Sequence, residues 1–491
     1  MAYFNIVAQS SESTVVTEYK PQAKHLEAYQ SEAGLEQEFI RLLQELGYEY
    51  LPIHKVKDLV DNLRLQLEAV NGYRFSDGEW GRFFSEVLAN PKSGIVEKTR
   101  LIQEDFVQVL RRDDGSSKNI TLFDKKNIHN NRLQVINQYT VSKEEGAAHD
   151  NRYDVTVLVN GLPMVHIELK RRGVPIREAF NQIDRYQRDS FWAASGLFEY
   201  VQIFVVSNGT NTKYYSNTTR FNHIKDTNSH KMKKEKTSNS FEFTSFWADA
   251  GNRIIPDLVD FTKTFFCKHT ILNILARYCV FTSENMLLVM RPYQIVATER
   301  ILNRIEIANN YKKFGTVAGG GYIWHTTGSG KTITSFKTAS LASRLPNVDK
   351  VVFLVDRIAL TNQTADAYRA YDPVAGFEGK TGVVSDTANI SDLHKKLAMK
   401  SDKNIIVTSI QKMSRYVARK GFKPLAENIL FIVDEAHRST GNGTENQGML
   451  EAIRIAIPTA AWVGYTGTPK FPETKDIFGS ILHAYTIKEA I

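Results

Sequence analysis

Two α/β domains in tandem are what this sequence predicts: a mixed sheet flanked by helices, then a parallel sheet of alternating strands and helices. Three observations lead there. Strand-like runs at 153–159, 164–169 and 200–206 lie around Asn160-Gly161, a strong hairpin signal between apolar stretches. From about residue 290, short apolar runs at 321–325, 350–355, 404–408, 429–433 and 460–465 alternate with helical stretches, the rhythm of a parallel sheet. Each of these later runs ends in a polar motif, as expected if a site lies at the carboxyl ends of the strands. The expected domains are residues 1–262 and 263–491.

Composition narrows the partners only slightly. Hydrophobic residues make up 42% of the chain and charged residues 24%, enough for ordinary cores. The formal charge of +8 modestly favours an anionic partner such as nucleic acid, and equally fits a plain basic enzyme. Cys267 and Cys279 are too few for a disulfide scaffold, and no Cys/His spacing resembles a zinc site. The start, Met1-Ala2-Tyr3-Phe4-Asn5-Ile6, lacks the basic and apolar parts of a signal peptide. The most apolar region, 271–290, is broken by Arg277 and Glu284, so it is not read as a membrane span, and the cytoplasm is expected.

Within the first domain, residues 1–30 are polar. Leu35, Phe39, Leu42, Leu43 and Leu46 fall on one face of a helix over 31–46. A polar turn stands at Asp113-Asp114-Gly115-Ser116-Ser117. Asp226 to Ser240 reads as a surface loop. Its Lys231, Lys233, Lys234 and Lys236 could touch DNA phosphate, though a solvated loop explains them more simply.

The hairpin carries the first chemistry. A strict two-residue turn at Asn160-Gly161 would pair Asp154 with Ile167 and send Glu168 to the opposite face. A three-residue loop, Val159-Asn160-Gly161, with a left-handed Gly161 as a bulge, pairs Asp154 with His166. We expect the bulged loop. Asp154, His166, Glu168 and Lys170 then share a face, and the two carboxylates lie roughly 5–8 Å apart as diagonal neighbours. Hard carboxylates at that spacing suit Mg²⁺, which lowers the pKa of a bound water, while Lys170 orients that water or offsets developing charge. The plain alternative is a solvated strand face with alternating charges. A helix over 176–190 places Glu178, Gln182 and Tyr186 on one side.

These residues resemble the PD-(D/E)xK nuclease superfamily, in its branch with a Q-x-x-x-Y element. Gln182 and Tyr186 match that element, and the resemblance implies that they support the site or touch the DNA backbone. Tyr153 stands where the family name has Pro. The resemblance also implies a first-helix glutamate completing the site: Glu36 is the choice, ahead of Glu32 and Glu38.

The second domain opens its chemistry at His325-Thr326-Thr327-Gly328-Ser329-Gly330-Lys331-Thr332, after a short strand and before a helix. Backbone N–H groups over 328–332 can cradle phosphates at the helix N-terminus, with Lys331 as a point charge and Thr332 as a Mg²⁺ ligand. An apolar strand, 429–433, delivers Asp434-Glu435-Ala436-His437, with Asp434 toward the metal and Glu435 toward the attacking water. His325 breaks the generic G-x-x-x-x-G-K-[ST] pattern but fits the T-G-S-G-K-T form of superfamily 2 helicases. That resemblance extends to Arg291-Pro-Tyr293-Gln294 as the Q motif, implying that Gln294 reads adenine with Tyr293 or Arg291 in support. It implies DNA-backbone contacts at Arg357, Thr408 and Gln411, and coupling of ATP to DNA through Thr466-Gly467-Thr468-Pro469. Strand-end capping is the plain alternative for each.

In order, nuclease then Q motif then T-G-S-G-K-T, D-E-A-H and T-G-T-P, the chain resembles the motor and cleavage (R) subunits of type I restriction endonucleases. The resemblance implies ATP and Mg²⁺ as cofactors, double-stranded DNA as substrate, and the methyltransferase and specificity subunits as partners. It also implies a second RecA-like lobe supplying an arginine, which does not follow Thr466-Gly467-Thr468-Pro469 before Ile491. The expectation is a fragment of a longer chain that binds ATP poorly, hydrolyses little and does not translocate. A type III-like helicase–nuclease is the first alternative, disfavoured by domain order. A non-catalytic DNA-binding or assembly module is the second, disfavoured by the intact Asp154, Glu168 and Lys170.

Overall fold

A computed structural model describes residues 13–21, 31–218, 240–356, 358–372, 382, 384–398, 405–423, 428–439 and 445–490. Lys231, Lys233, Lys234, Lys236 and Arg357 lie outside these residues. The chain forms two compact units, one of residues 1–281 and 285–291, the other of 282–284 and 292–491. The division expected at 262/263 comes too early. Helices Leu258–Phe265 and Lys268–Arg277 bury Phe261, Phe265, Ile271, Leu272, Ile274 and Leu275 completely within the first unit. The Tyr48 hydroxyl also donates to the Phe266 carbonyl at 2.7 Å. An apolar face of that size stays with the core it covers.

The first unit is built on a mixed eight-stranded sheet beside a separate hairpin. Its strands are β1 (Glu49–Tyr50), the hairpin β2 (Val107–Arg111) and β3 (Ser117–Thr121), β4 (Leu133–Val141), β5 (Asn151–Val159), β6 (Leu162–Leu169), β7 (Ile203–Ser207), β8 (Thr212–Ser216), β9 (Ser245–Ala248) and β10 (Ile254–Ile255). The sheet order is β1-β4-β5-β6-β7-β8-β9-β10, with β1/β4 and β6/β7 parallel and the other pairs antiparallel. A short ladder, β11 (Cys279–Phe281) with β12 (Leu287–Val289), completes the unit's strands. Every residue of β6 is buried, so this sheet is covered on both faces and the hairpin is not a solvated surface. Helix Glu32–Glu45, capped by Ser31, and helix Ile176–Asp189 both pack against β6.

The second unit holds a seven-stranded sheet in the order β15-β16-β14-β17-β18-β13-β19, with every pairing parallel. The strands are β13 (Gly321–His325), β14 (Lys350–Val355), β15 (Val384–Asp386), β16 (Ile405–Ser409), β17 (Ile429–Val433), β18 (Ala461–Thr466) and β19 (Ile481–Tyr485). The expected runs are five of these; β15 and β19 are additional. Val352, Leu354, Ile406, Phe431, Val433 and Trp462 form part of the core under the helices. Among the described residues, no helix is long and apolar enough to cross a membrane.

Candidate functional site

The expected hairpin loop is not the one that forms. Val159 pairs with Leu162, leaving a two-residue turn at Asn160 (φ 53) and Gly161 (φ 82), both left-handed. Asn160 fixes this turn through its buried amide. Its oxygen accepts from the Arg132 N–H at 2.9 Å, and its nitrogen donates to the Leu122 carbonyl and to Asn131. Gly161 passes so close to Leu63 that an added Cβ would meet its Cα at 2.7 Å.

The register nevertheless corrects itself further along. Leu158 pairs with Pro163 while Val157 pairs with Val165, so Met164 is an extra residue in β6. Pro163 has no N–H for the ladder, and a bulge beside it is a natural place for the slip. Beyond the bulge Thr156 pairs with His166 and Val155 with Ile167, where the ladder ends; extending that register by one step sets Asp154 against Glu168. The carboxylates share a face as anticipated, directly opposed rather than diagonal, and the partner of Asp154 is not His166.

Both acids are buried, Asp154 at 8% exposure and Glu168 at 0%. Asp154 Oδ2 accepts from the Leu169 N–H at 2.9 Å. Lys170 Nζ lies 3.3 Å from Glu168 Oε1 and 3.5 Å from Glu32 Oε1. Glu168 Oε2 has no hydrogen-bond partner. Burial pushes Asp154 up to about 8, with Glu168 adding to the rise. Burial likewise raises Glu168 to about 8, against the pull of Lys170. His166 is pushed down to about 4 by its burial, so it is neutral; Nδ1 lies 3.1 Å from the Thr156 hydroxyl and Nε2 3.5 Å from Glu168 Oε2.

The Q-x-x-x-Y pair meets this sheet from helix Ile176–Asp189. Gln182 donates to the Tyr186 hydroxyl, which donates to the Arg152 carbonyl at 2.7 Å, two residues before Asp154. Tyr186 is 1% exposed, so it supports the strand and offers no surface to DNA. Glu36 is not brought to the acid pair. Its two oxygens accept from Asn137 and Gln138 on β4, at 2.6 Å each. Among the described residues no three His, Cys, Asp or Glu form a cluster able to hold a metal ion. The first-helix residue that reaches Lys170 is Glu32, one helical turn earlier.

In the second unit, β13 leads into the loop and helix Lys331–Ala342. Gly328 (φ 82) and Gly330 (φ 77) take the left-handed conformations that turn the loop. Thr327, Gly328 and Thr332 are exposed, while Ser329 is buried. Lys331 Nζ lies 3.4 Å from the carbonyls of His325 and Thr326. Tyr293 and Gln294 both donate to the Ser329 carbonyl, at 2.7 and 2.9 Å, so the Q-motif residues hold the loop's backbone. At the end of β17, burial and the neighbouring Glu435 raise Asp434 to about 6. Glu435 has φ 45 and lies 3.4 Å from His437, whose Nδ1 is 3.0 Å from the Thr466 hydroxyl. That hydroxyl accepts from the Thr468 N–H at 3.2 Å, and Thr468 is exposed.

Two of the expected DNA-contact residues face inward. Thr408 is fully buried and its hydroxyl accepts from Thr387 at 2.9 Å. Gln411 donates to the Asp356 carbonyl at 2.8 Å, and Ser409 caps the helix Ile410–Val417. Here the capping alternative describes the geometry: Thr408 ties β16 to the end of β15, and Gln411 ties it to the end of β14.

Comparison with known proteins follows the same division. Residues 29–223 match the family described as type I restriction enzyme R protein N terminus, and residues 293–491 match SWI2/SNF2 ATPase. The chain is 50% identical over 301 residues to the type I restriction enzyme EcoprrI endonuclease subunit of Escherichia coli, covering 61% of this chain and 90% of that one. This chain belongs to the type I restriction enzyme endonuclease subunits. It is also 37% identical over 484 residues to the SauCOLORF180P endonuclease subunit of Staphylococcus aureus, covering 94% of this chain and 46% of that protein. The chain thus spans about half the length of the Staphylococcus aureus relative.

Several residues of this endonuclease subunit that shape the two sites carry no motif. Thr156 and His166 stand behind Glu168, Asn137 and Gln138 occupy Glu36, and Trp324 donates to the Gly467 carbonyl at 3.1 Å. Only the period-two alternation of β5 and β6 pointed toward His166.

Proposed function

We propose that this endonuclease subunit hydrolyses DNA phosphodiesters with a divalent metal held by Asp154 and Glu168. The observation that carries the reading is the pair of opposed carboxylates in a sheet buried on both faces, with Glu168 Oε2 left without a hydrogen-bond partner. Buried carboxylates without enough partners are costly, and a cation in that position offsets the cost. Mg²⁺ suits the donor set, because it binds through one or two carboxylates and keeps several waters. When bound, it neutralises charge on the scissile phosphate and acidifies a water. Lys170 sits where its ammonium can offset charge that develops beside Glu168, and Glu32 steadies it from the other side. Tyr186 and Gln182 position β5 through the Arg152 carbonyl.

The loop Thr327-Gly328-Ser329-Gly330-Lys331-Thr332 would bind the phosphates of ATP, with Thr332 and Asp434 toward a Mg²⁺ ion and Glu435 toward the attacking water. His437, Thr466 and Thr468 form a hydrogen-bonded line, with Gly467 lying against the loop beside Lys331 and Thr327, suited to coupling ATP turnover with movement on DNA. The same reading assigns ATP-dependent translocation on duplex DNA to the whole subunit, working with methyltransferase and specificity subunits. Plasmid nicking with Mg²⁺, with and without the methyltransferase complex, tests it. Wild type should nick and Asp154→Ala should not; equal nicking by both would overturn the assignment.

A further inference from the structure

His325 occupies a position where the generic phosphate-binding loop has glycine, so a large ring must be housed at the loop's base. It is fully buried, and the housing comes from β19. His325 Nε2 lies 2.9 Å from His483 Nδ1, and the Thr326 N–H donates to the Tyr485 carbonyl at 2.9 Å. The Tyr485 ring stacks on Tyr293 with centroids 3.7 Å apart and planes 9° from parallel. Tyr293 in turn holds the Ser329 carbonyl at 2.7 Å. The loop is therefore gripped from β19 at both ends: directly at residues 325 and 326, and through Tyr293 at residue 329.

We propose that His483 and Tyr485 are positioning residues for the nucleotide-binding loop, setting its phosphate-binding shape from the edge strand of the sheet. The proposal rests on the reading of residues 327–332 as an ATP site. Neither residue touches nucleotide; each acts through a group that shapes the loop. Burial, His483 and Lys331 hold His325 well below the ordinary histidine value, so its ring is neutral and the pair is a single N–H···N bond. Breaking that bond strands a buried ring nitrogen, and removing the Tyr485 ring frees Tyr293 from its stack. Both changes release the loop without altering any phosphate-facing group.

The test is titration of a fluorescent ATP analogue with Mg²⁺ into the 491-residue chain, at a temperature where circular dichroism shows every variant folded. Variants are His483→Ala, Tyr485→Ala, Tyr485→Phe and Lys331→Ala. Tyr485→Ala and His483→Ala should each weaken binding about tenfold. Tyr485→Phe keeps the ring and should bind within about twofold of wild type. Lys331→Ala should bind least. If the two alanine variants at 483 and 485 bind as wild type does while Lys331→Ala loses binding, the positioning role is wrong and the ATP site stands. If wild type binds no better than Lys331→Ala, the ATP reading fails and the proposal falls with it.

Discussion

Asp154→Asn separates a metal ligand from a structural acid, because the two roles predict opposite changes in stability. Burial and Glu168 move Asp154 from 3.8 to about 8. An acid whose folded-state pKa lies above its unfolded value holds its proton more tightly when folded. Folding therefore loses stability as pH climbs between those two values, and the penalty is absent below the lower one. At pH 7 about 3 pH units separate the solution from the unfolded value, each worth ~1.4 kcal/mol, so the metal-free protein carries a penalty of about 4 kcal/mol. Glu168 is raised by the same burial, and the two penalties overlap rather than add. Asparagine keeps an oxygen for the Leu169 N–H and carries no charge to bury. With ~2–4 °C per kcal/mol for a unit of this size, Asp154→Asn should melt about 8–16 °C above wild type in EDTA at pH 7. The gain should shrink toward zero at pH 4, and nicking should be lost. Differential scanning fluorimetry at both pH values, beside the nicking assay, reads all three. A lower melting temperature for Asp154→Asn at pH 7 in EDTA would refute the argument, since it would make the carboxylate a structural acceptor.

Other consequences are as direct. Deleting Met164 removes the extra residue and its bulge together, leaving Val157 paired with Val165 and Glu168 on the face of Asp154, so nicking should survive; its loss with unchanged circular dichroism would contradict the register account. Because both acids are raised to about 8 and each must lose a proton to bind metal, the Mg²⁺ concentration for half-maximal nicking should fall by up to about a hundredfold per pH unit between pH 6 and 7, flattening toward pH 8. A flat dependence would show that neither raised acid is a ligand. His166→Phe keeps the aromatic surroundings but removes the ring nitrogen facing Glu168, and should raise the Mg²⁺ requirement about 10–100-fold. An unchanged requirement would leave His166 with a packing role only.

What the sequence revealed depended on how local the determining forces were. The strands 350–355, 429–433 and 460–465 are continuous apolar runs because they lie in the middle of a covered parallel sheet, and they were legible for that reason. β15 has three residues, and β19 mixes His483 and Tyr485 into its run, so neither has a period to read. The hairpin showed the limit most clearly. Asn160-Gly161 correctly marked the turn, but the register needed the Met164 bulge, set by Pro163. The expected shared face was therefore reached by a different route. Glu36 was chosen from its place on the first helix. Its occupation by Asn137 and Gln138 depends on β4, about a hundred residues away, where Gln138 takes φ 51. Thr408 and Gln411 looked like open strand-end donors until their partners Thr387 and Asp356 were placed.

The account stands or falls on where a divalent metal binds in the first unit. Crystals of this chain soaked in Mn²⁺, a stand-in for Mg²⁺ with an anomalous signal, answer that in one measurement. The account predicts a single strong anomalous peak about 2.1 Å from carboxylate oxygens of both Asp154 and Glu168, lost in Asp154→Asn crystals. A peak bound instead through Glu36, or none at the Asp154–Glu168 pair, would contradict it.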